Sequence, residues 1–352
     1  MASEVAGDEG EATGGGSTAV ATARPKGRAA TTVADYVLSW AAAKRELLKP
    51  STREHYADVL GRFVVPVLGA RPVVELTRAD VVEWVGWAQR QHNRYDRPYA
   101  EATLHSWYRV LVTVLRDAAA EFGIVDPTAR VRPPKSPIRN VREGVTLTPA
   151  QAAKLLDAVQ RTYPKWYAEV FTLIFSGLRV GELYALSWSD LDPDANVIHV
   201  RHSVWRQHVG FTKTSDPRDI ALTEPMKAVL AEHRARLVAE QHPGLELGLV
   251  FPAITGNHRG SSALQKVLRI TGKVAGIPTR CGPQVMRRTV NTGLVETGSD
   301  GVIVRSQMGH TSERMTSRYA GVHAAAKVEA MDRFYFAVEA AGNTSGNTSG
   351  NT

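Results

Sequence analysis

Between Asp126 and Arg142 four prolines, Pro127, Pro133, Pro134 and Pro137, alternate with Arg130, Arg132, Lys135, Arg139 and Arg142. No helix crosses such a run, because each proline removes a backbone donor and pushes its predecessor towards extended conformations. A chain of 352 residues broken there is long enough to form two domains, each with its own core. The run itself, 128–145, reads as a stiff basic linker. Two roles for it stay open: a strap along phosphates, or a merely solvated connection.

Ahead of the break the hydrophobic period is helical. Residues 1–30 are rich in Gly, Ala, Ser and Thr and turn basic at Arg24, Lys26 and Arg28. They read as a disordered tail that either touches a polyanion or is inert. From Thr31, the residues Val33, Tyr36, Val37 and Trp40 form one apolar stripe. Ser51 and Glu54 have capping-box spacing and predict the start of a second helix carrying Tyr56, Leu60 and Phe63. Pro66 and the Gly69–Pro72 segment are expected to end it. Thr77 and Asp80 open a third helix through Val81, Val82, Trp84 and Val85. A fourth spans roughly 101–122, with Leu104, Tyr108, Leu111, Val112 and Leu115 inward. The result is a compact helical domain over 31–127 whose Trp and Tyr side chains, in register with aliphatics, are core.

A second domain, 146–336, begins at Thr148, Pro149 and Gln151, which supply an N-cap, a proline at N1 and a capping-box partner. A helix through Tyr167, Val170, Leu173 and Ile174 leads to the Gly177-Leu-Arg179 turn. Val197, His199 or Ile198, and Val204, followed by Ile220–Leu222, predict a small antiparallel hairpin with Lys213 near its tip. Helices are expected over 226–238, 262–274, 284–297 and 302–308, with a periodic run over 322–341 containing Phe334, Tyr335 and Phe336. That last helix either docks on a neighbouring subunit or packs on its own domain. Residues 337–352, ending in Gly-Asn-Thr-Ser repeats, read as a low-complexity tail. The fold class is mainly α with a small antiparallel β-sheet in the second domain (α+β).

A net charge of +8 favours a polyanionic partner without separating DNA, RNA and an anionic membrane surface. The single cysteine, Cys281, excludes an intramolecular disulfide and a multi-cysteine zinc site. No apolar run is long enough to span a bilayer and no signal peptide is evident, so the cytoplasm is the default compartment.

The most informative polar stretch runs from Gln284 through Arg287, Arg288 and the Met308-Gly309-His310-Thr311 segment to Arg318 and Tyr319. Fixed guanidinium groups suit the charge that develops on the non-bridging oxygens of a phosphodiester, and a phenol can attack phosphorus. A further arginine lies far upstream, in Ser176-Gly177-Leu178-Arg179-Val180-Gly181-Glu182-Leu183. With it, the pattern resembles the tyrosine recombinase, or phage integrase, family from about Thr31 to Phe336, most specifically in the second domain.

The resemblance implies a helical core-binding domain and a catalytic domain that close on duplex DNA. Arg179 and Arg287 match the two catalytic arginines, and Glu182 is expected to orient or neutralise them. Lys213 matches the hairpin lysine that protonates the leaving 5′ oxygen. His310 matches the second histidine, and Tyr319 the nucleophile that forms a 3′-phosphotyrosine. Arg139, Arg142 and Arg288 are expected to contact DNA. No metal, cofactor or ATP is implied, because arginines neutralise the phosphate and the phosphotyrosine conserves its bond energy. A homotetramer on two attachment sites is implied, with an excisionase or DNA-bending factor as a possible partner. The sequence departs from the family at Gln284, where the usual residue is histidine. A glutamine can donate to a phosphate oxygen but cannot act as a base there. Integration or excision of a phage or other mobile element is the expected activity. Type IB topoisomerase-like swivelling and a catalytically silenced DNA-binding protein are the alternatives.

Overall fold

The computed structural model describes residues 30–138, 145–211, 217–309 and 324–346. The chain divides into two compact units, Met1–Asn140 and Val141–Thr352.

The first unit is all helical. Helix α1 (Val33–Ala43) is capped by Thr32 and Asp35 and buries Val33, Tyr36, Val37 and Trp40, the stripe the sequence predicts. Helix α2 (Pro50–Val59) starts one residue ahead of Ser51. Lys49 is its N-cap and Pro50 takes N1, so no Ser51 side-chain cap forms. Of the two expected stops only the second holds: Gly69 caps the helical run after Leu68, and Pro66 does not end it. It passes through a π-helical turn, Leu60–Val64, into α3 (Val65–Leu68). Pro66 has no N–H to give to the turn before it, and the widened turn absorbs that break. Trp84 donates its buried indole N–H to the Phe63 carbonyl in this turn, 2.6 Å away. Helix α4 (Arg78–Gln89) carries the predicted Thr77–Asp80 capping box. Helix α5 (Glu101–Phe122) turns Leu104, Trp107, Val110, Leu111, Val114 and Leu115 into the core. Tyr108 and Val112 are only half-buried at its margin.

Much of the proline-rich segment is bound to this unit instead of standing free as a linker. Tyr108 donates to the Val131 carbonyl at 2.8 Å, and Ser136 to the Tyr99 carbonyl at 2.7 Å. The Glu101 amide donates to the Ile138 carbonyl, and Thr128 is buried. Prolines forbid a helix but leave every carbonyl as an acceptor; α5 holds those of Val131 and Ile138, and Ser136 donates back to Tyr99.

The second unit is α+β. Its helices are α6 (Pro149–Thr162), α7 (Tyr167–Ser176), α8 (Val180–Leu183), α9 (Glu224–Ala239), α10 (Ser261–Val274), α11 (Pro283–Glu296), α12 (Gly301–Met308) and α13 (Ala324–Gly346). Strands β1 (Leu191–Asp192), β2 (Val197–Val200) and β5 (Arg218–Ala221) form an antiparallel sheet in the order β1-β2-β5. Strands β3 (His202–Trp205) and β4 (His208–Phe211) form a separate two-stranded ribbon. The expected hairpin is therefore half right. Val197–Val200 does pair with Arg218–Ala221, but a second hairpin with its tip at Arg206 and Gln207 is inserted between them. Lys213 lies outside the described residues, in the connection from the ribbon back to β5.

Helix α7 is buried from Ala168 to Ser176 and is the spine of the core. Helix α13 packs on its own unit, against α6, α11 and β5. Ala330, Met331, Phe334 and Val338 are buried while Phe336 is exposed. This helix runs to Gly346, past residue 337 where the tail is expected to begin, and Val338 beyond that point is buried. Among the described residues no helix is long and apolar enough to cross a membrane.

Candidate active site

Gly177 ends α7 in the left-handed conformation, φ +70°. A Cβ there would come within 2.7 Å of Met308 Sδ, so the turn closes directly on the end of α12. The chain then leaves as buried Leu178 and reaches Arg179, the N-cap of α8. One helical turn on, Glu182 comes back beneath it, 1% exposed.

Glu182 is the focus of the site. Its Oε2 accepts the Arg179 amide at 2.8 Å, and its Oε1 accepts Arg179 Nη1 at 2.8 Å. From the other side Arg218, the first residue of β5, donates Nη1 to Oε1 at 3.1 Å and Nη2 to Oε2 at 2.7 Å. Burial pushes this carboxyl up, but the Arg218 fork and the two Arg179 contacts outweigh it and hold it down at about 2. The site thus contains a permanent anion wedged between two permanent cations.

Arg287 projects from α11 and is almost fully buried. Its Nη1 donates to the Gly177 carbonyl and its Nη2 to the Met308 carbonyl. These carbonyls sit at the C-terminal ends of α7 and α12, where the helix dipoles favour a cation. Burial, with Arg179 and Arg218 nearby, lowers its guanidinium to about 10 despite the pull of Glu182. Three arginines and one glutamate thus share this pocket, a net excess of positive charge suited to an anion.

The structure brings Arg179, Glu182 and Arg287 together. Gln284 stands exposed in the first turn of α11, one turn before Arg287, and Arg288 is half-buried on the same helix. Lys213, His310, Tyr319, Arg139 and Arg142 lie outside the described residues.

Three residues of the site were not assigned from sequence. Arg218 forks onto Glu182 from β5. Gln307, buried, accepts the Ala221 amide at 3.1 Å and donates to the Ser176 carbonyl at 3.1 Å. Lys327, also buried, donates to the Asp219 carbonyl at 2.6 Å. Strand β5 is therefore tied to α8, α12, α7 and α13 at once. None of these pairings is local in sequence. The only hint was position: Arg218 follows the Lys213 segment, and Gln307 precedes Met308-Gly309-His310.

A family model described as the phage integrase family matches residues 145–326. The integrase of Mycobacterium phage D29 is 27% identical over 304 residues, covering 84% of this chain and 76% of that protein. The Tn1549 transposon integrase in complex with transposon right end DNA superposes with a TM-score of 0.64 at 20% identity, covering 86% of this chain and 99% of that one. A lambda integrase tetramer bound to a Holliday junction gives a TM-score of 0.60 at 17% identity, covering 82% and 77% respectively. At such identities these structures report the fold.

Proposed function

The chain belongs to the phage integrase family, and from that premise we propose how it works as a tyrosine site-specific recombinase of a phage or other mobile element. Arg179 and Arg287 bind the non-bridging oxygens of the scissile phosphate, where guanidinium donors count most as charge develops. The Tyr319 phenol attacks phosphorus and forms a 3′-phosphotyrosine. The departing 5′ oxygen takes a proton from Lys213, acting as general acid. His310 donates to the phosphate or assists the phenol, and Gln284 contributes an amide hydrogen bond without carrying a proton. A 5′ hydroxyl from the partner duplex then attacks the phosphotyrosine, so each bond broken is remade without ATP. Glu182 fixes the first guanidinium.

The observation that carries this reading is the Arg179–Glu182 pair set beside Arg287 at the junction of α7, α11 and α12. Two such rounds on paired sites call for four active subunits, and the lambda relative was solved as a tetramer on a Holliday junction. A homotetramer on specific duplex sites is proposed here too, with Arg139, Arg142 and Arg288 on the DNA. An excisionase or bending factor would set direction. The enzyme would act in the host cytoplasm, where the DNA is.

The test is covalent capture. The protein is incubated with fragmented source DNA without metal or ATP and denatured in detergent, and the attached DNA is sequenced. Adducts at one recurrent site, lost in Tyr319→Phe while site binding persists, are the expected outcome. Cleavage by Tyr319→Phe would refute the nucleophile assignment, and scattered adducts would favour strand swivelling.

A further inference from the structure

Arg218 occupies a position that the reaction scheme above leaves unused. It is the first residue of β5, and its side chain is only 10% exposed. Both terminal nitrogens are spent on Glu182, one on each oxygen. Its aliphatic stem lies under Gly309: a Cβ at that glycine would sit 2.7 Å from Arg218 Cδ and 2.8 Å from its Nε. Gly309 has φ +60° and directly precedes His310. The backbone of β5 also receives Gln307 of α12 and Lys327 of α13, and the strand follows the segment containing Lys213.

We propose that Arg218 is a positioning residue for strand cleavage, its guanidinium locking Glu182 so that Arg179 is aimed, and its stem setting the height of the turn that leads to His310. This rests on the recombinase assignment and extends it, since Arg218 itself touches no reacting atom.

A comparison inside the same domain supports the division of labour. Glu169 of α7 is as deeply buried as Glu182, 1% exposed, but is ion-paired at contact distance with one guanidinium, that of Arg259 at 2.7 Å, with the Tyr184 hydroxyl at 3.0 Å and Arg236 acting through space. Burial dominates there and pushes its carboxyl up to about 7. Glu182 faces Arg179, Arg218 and, through space, Arg287. The Arg218 fork, added to the Arg179 side chain and amide, is what separates the two cases. Without Arg218, Glu182 keeps Arg179 as its one contacting guanidinium, as Glu169 keeps Arg259, and its carboxyl rises towards that of Glu169. A neutral carboxyl no longer holds Arg179 as an ion pair.

The experiment measures single-turnover cleavage at saturating site DNA from pH 5.5 to 9, DNA affinity, and thermal midpoint for wild type, Arg218→Lys, Arg218→Gln, Glu182→Gln and Arg218→Gln/Glu182→Gln. Wild-type adduct formation through Tyr319 is the control; its absence sinks the recombinase assignment, not this step. Cleavage is expected to fall roughly tenfold in Arg218→Lys and roughly a hundredfold in Arg218→Gln, with DNA affinity nearly unchanged. Arg218→Gln should recover activity as pH rises, over a range where wild type is flat. The double variant should be no slower than the slower single variant and should lose the pH step. Wild-type rates in both Arg218 variants would overturn the proposal. So would losses that are pH-independent and additive with Glu182→Gln, or losses that appear as weakened DNA binding. If Arg218→Gln does not fold, Arg218→Lys and its pH profile decide alone.

Discussion

Arg287 is committed on two sides to backbone carbonyls, whereas Arg179 holds one carboxylate and is 29% exposed. Their alanine variants should therefore fail differently. Each is expected to lose several orders of magnitude in cleavage rate, because each removes charge from the proposed phosphate site. Arg287→Ala should also lose more stability, by about 2–3 kcal/mol, since it strands two buried helix-end carbonyls, whereas Glu182 keeps the Arg218 fork when Arg179 is removed. Cleavage assays set beside urea unfolding separate the two losses. Equal midpoints for both variants would contradict the double use of Arg287. Gln284 is exposed and one turn away, so Gln284→His should cleave within roughly fivefold of wild type. A large loss in that assay would show that the amide is fitted to its pocket.

At the scale of elements, glycine contacts show where helices must touch. A Cβ on Gly293 of α11 would lie 2.2 Å from a Phe334 ring carbon, so α13 seats its aromatic ring directly on the α11 backbone. Gly293→Ala is expected to cost about 1–3 kcal/mol by prising α13 away. A thermal midpoint equal to wild type would refute that contact. The same elements show what the sequence discloses. Thr148–Gln151, Thr77–Asp80 and the Val33–Trp40 stripe announce their helices because caps and periodicity are written within a few residues. The Ser51 box misleads because Pro50 already starts the helix, and Pro66 misleads because a π turn absorbs it. The β2–β5 pairing is legible in its two apolar patches, but the β3–β4 ribbon inserted between them is not: register across an inserted hairpin is settled by tertiary packing. The candidate site divides likewise. Arg179 and Glu182 sit three residues apart and were legible with Arg287 through their motifs. The Arg218 fork spans 36 positions and was not.

At the scale of the whole molecule each unit has its own hydrophobic core, and the second also buries three titratable groups whose pH responses oppose one another. Glu182, lowered from 4.5 to about 2, stabilises the fold above 4.5, and that contribution is lost as pH falls towards 2. His233 is buried, donating Nε2–H to the Val250 carbonyl at 2.7 Å and accepting from Arg236 at Nδ1 at 2.9 Å, which fixes the neutral ring. Burial lowers it from 6.5 to about 4, so its contribution is present above 6.5 and lost as pH falls to 4. Glu169, raised from 4.5 to about 7, runs the other way: its contribution is full below 4.5 and lost as pH rises through 7. Between 6.5 and 4.5 the gain at Glu169 offsets the loss at His233; below 4.5 only losses remain. Wild type should therefore hold a nearly flat thermal midpoint from about pH 6.5 to 4.5 and then fall steeply. Glu169→Gln removes the offset, and its midpoint should begin to fall already at about pH 6.5. Calorimetry across this range decides it: a wild-type midpoint that declines steadily from pH 6.5, or a variant whose profile matches wild type, would show that Glu169 is not protonated in the folded state.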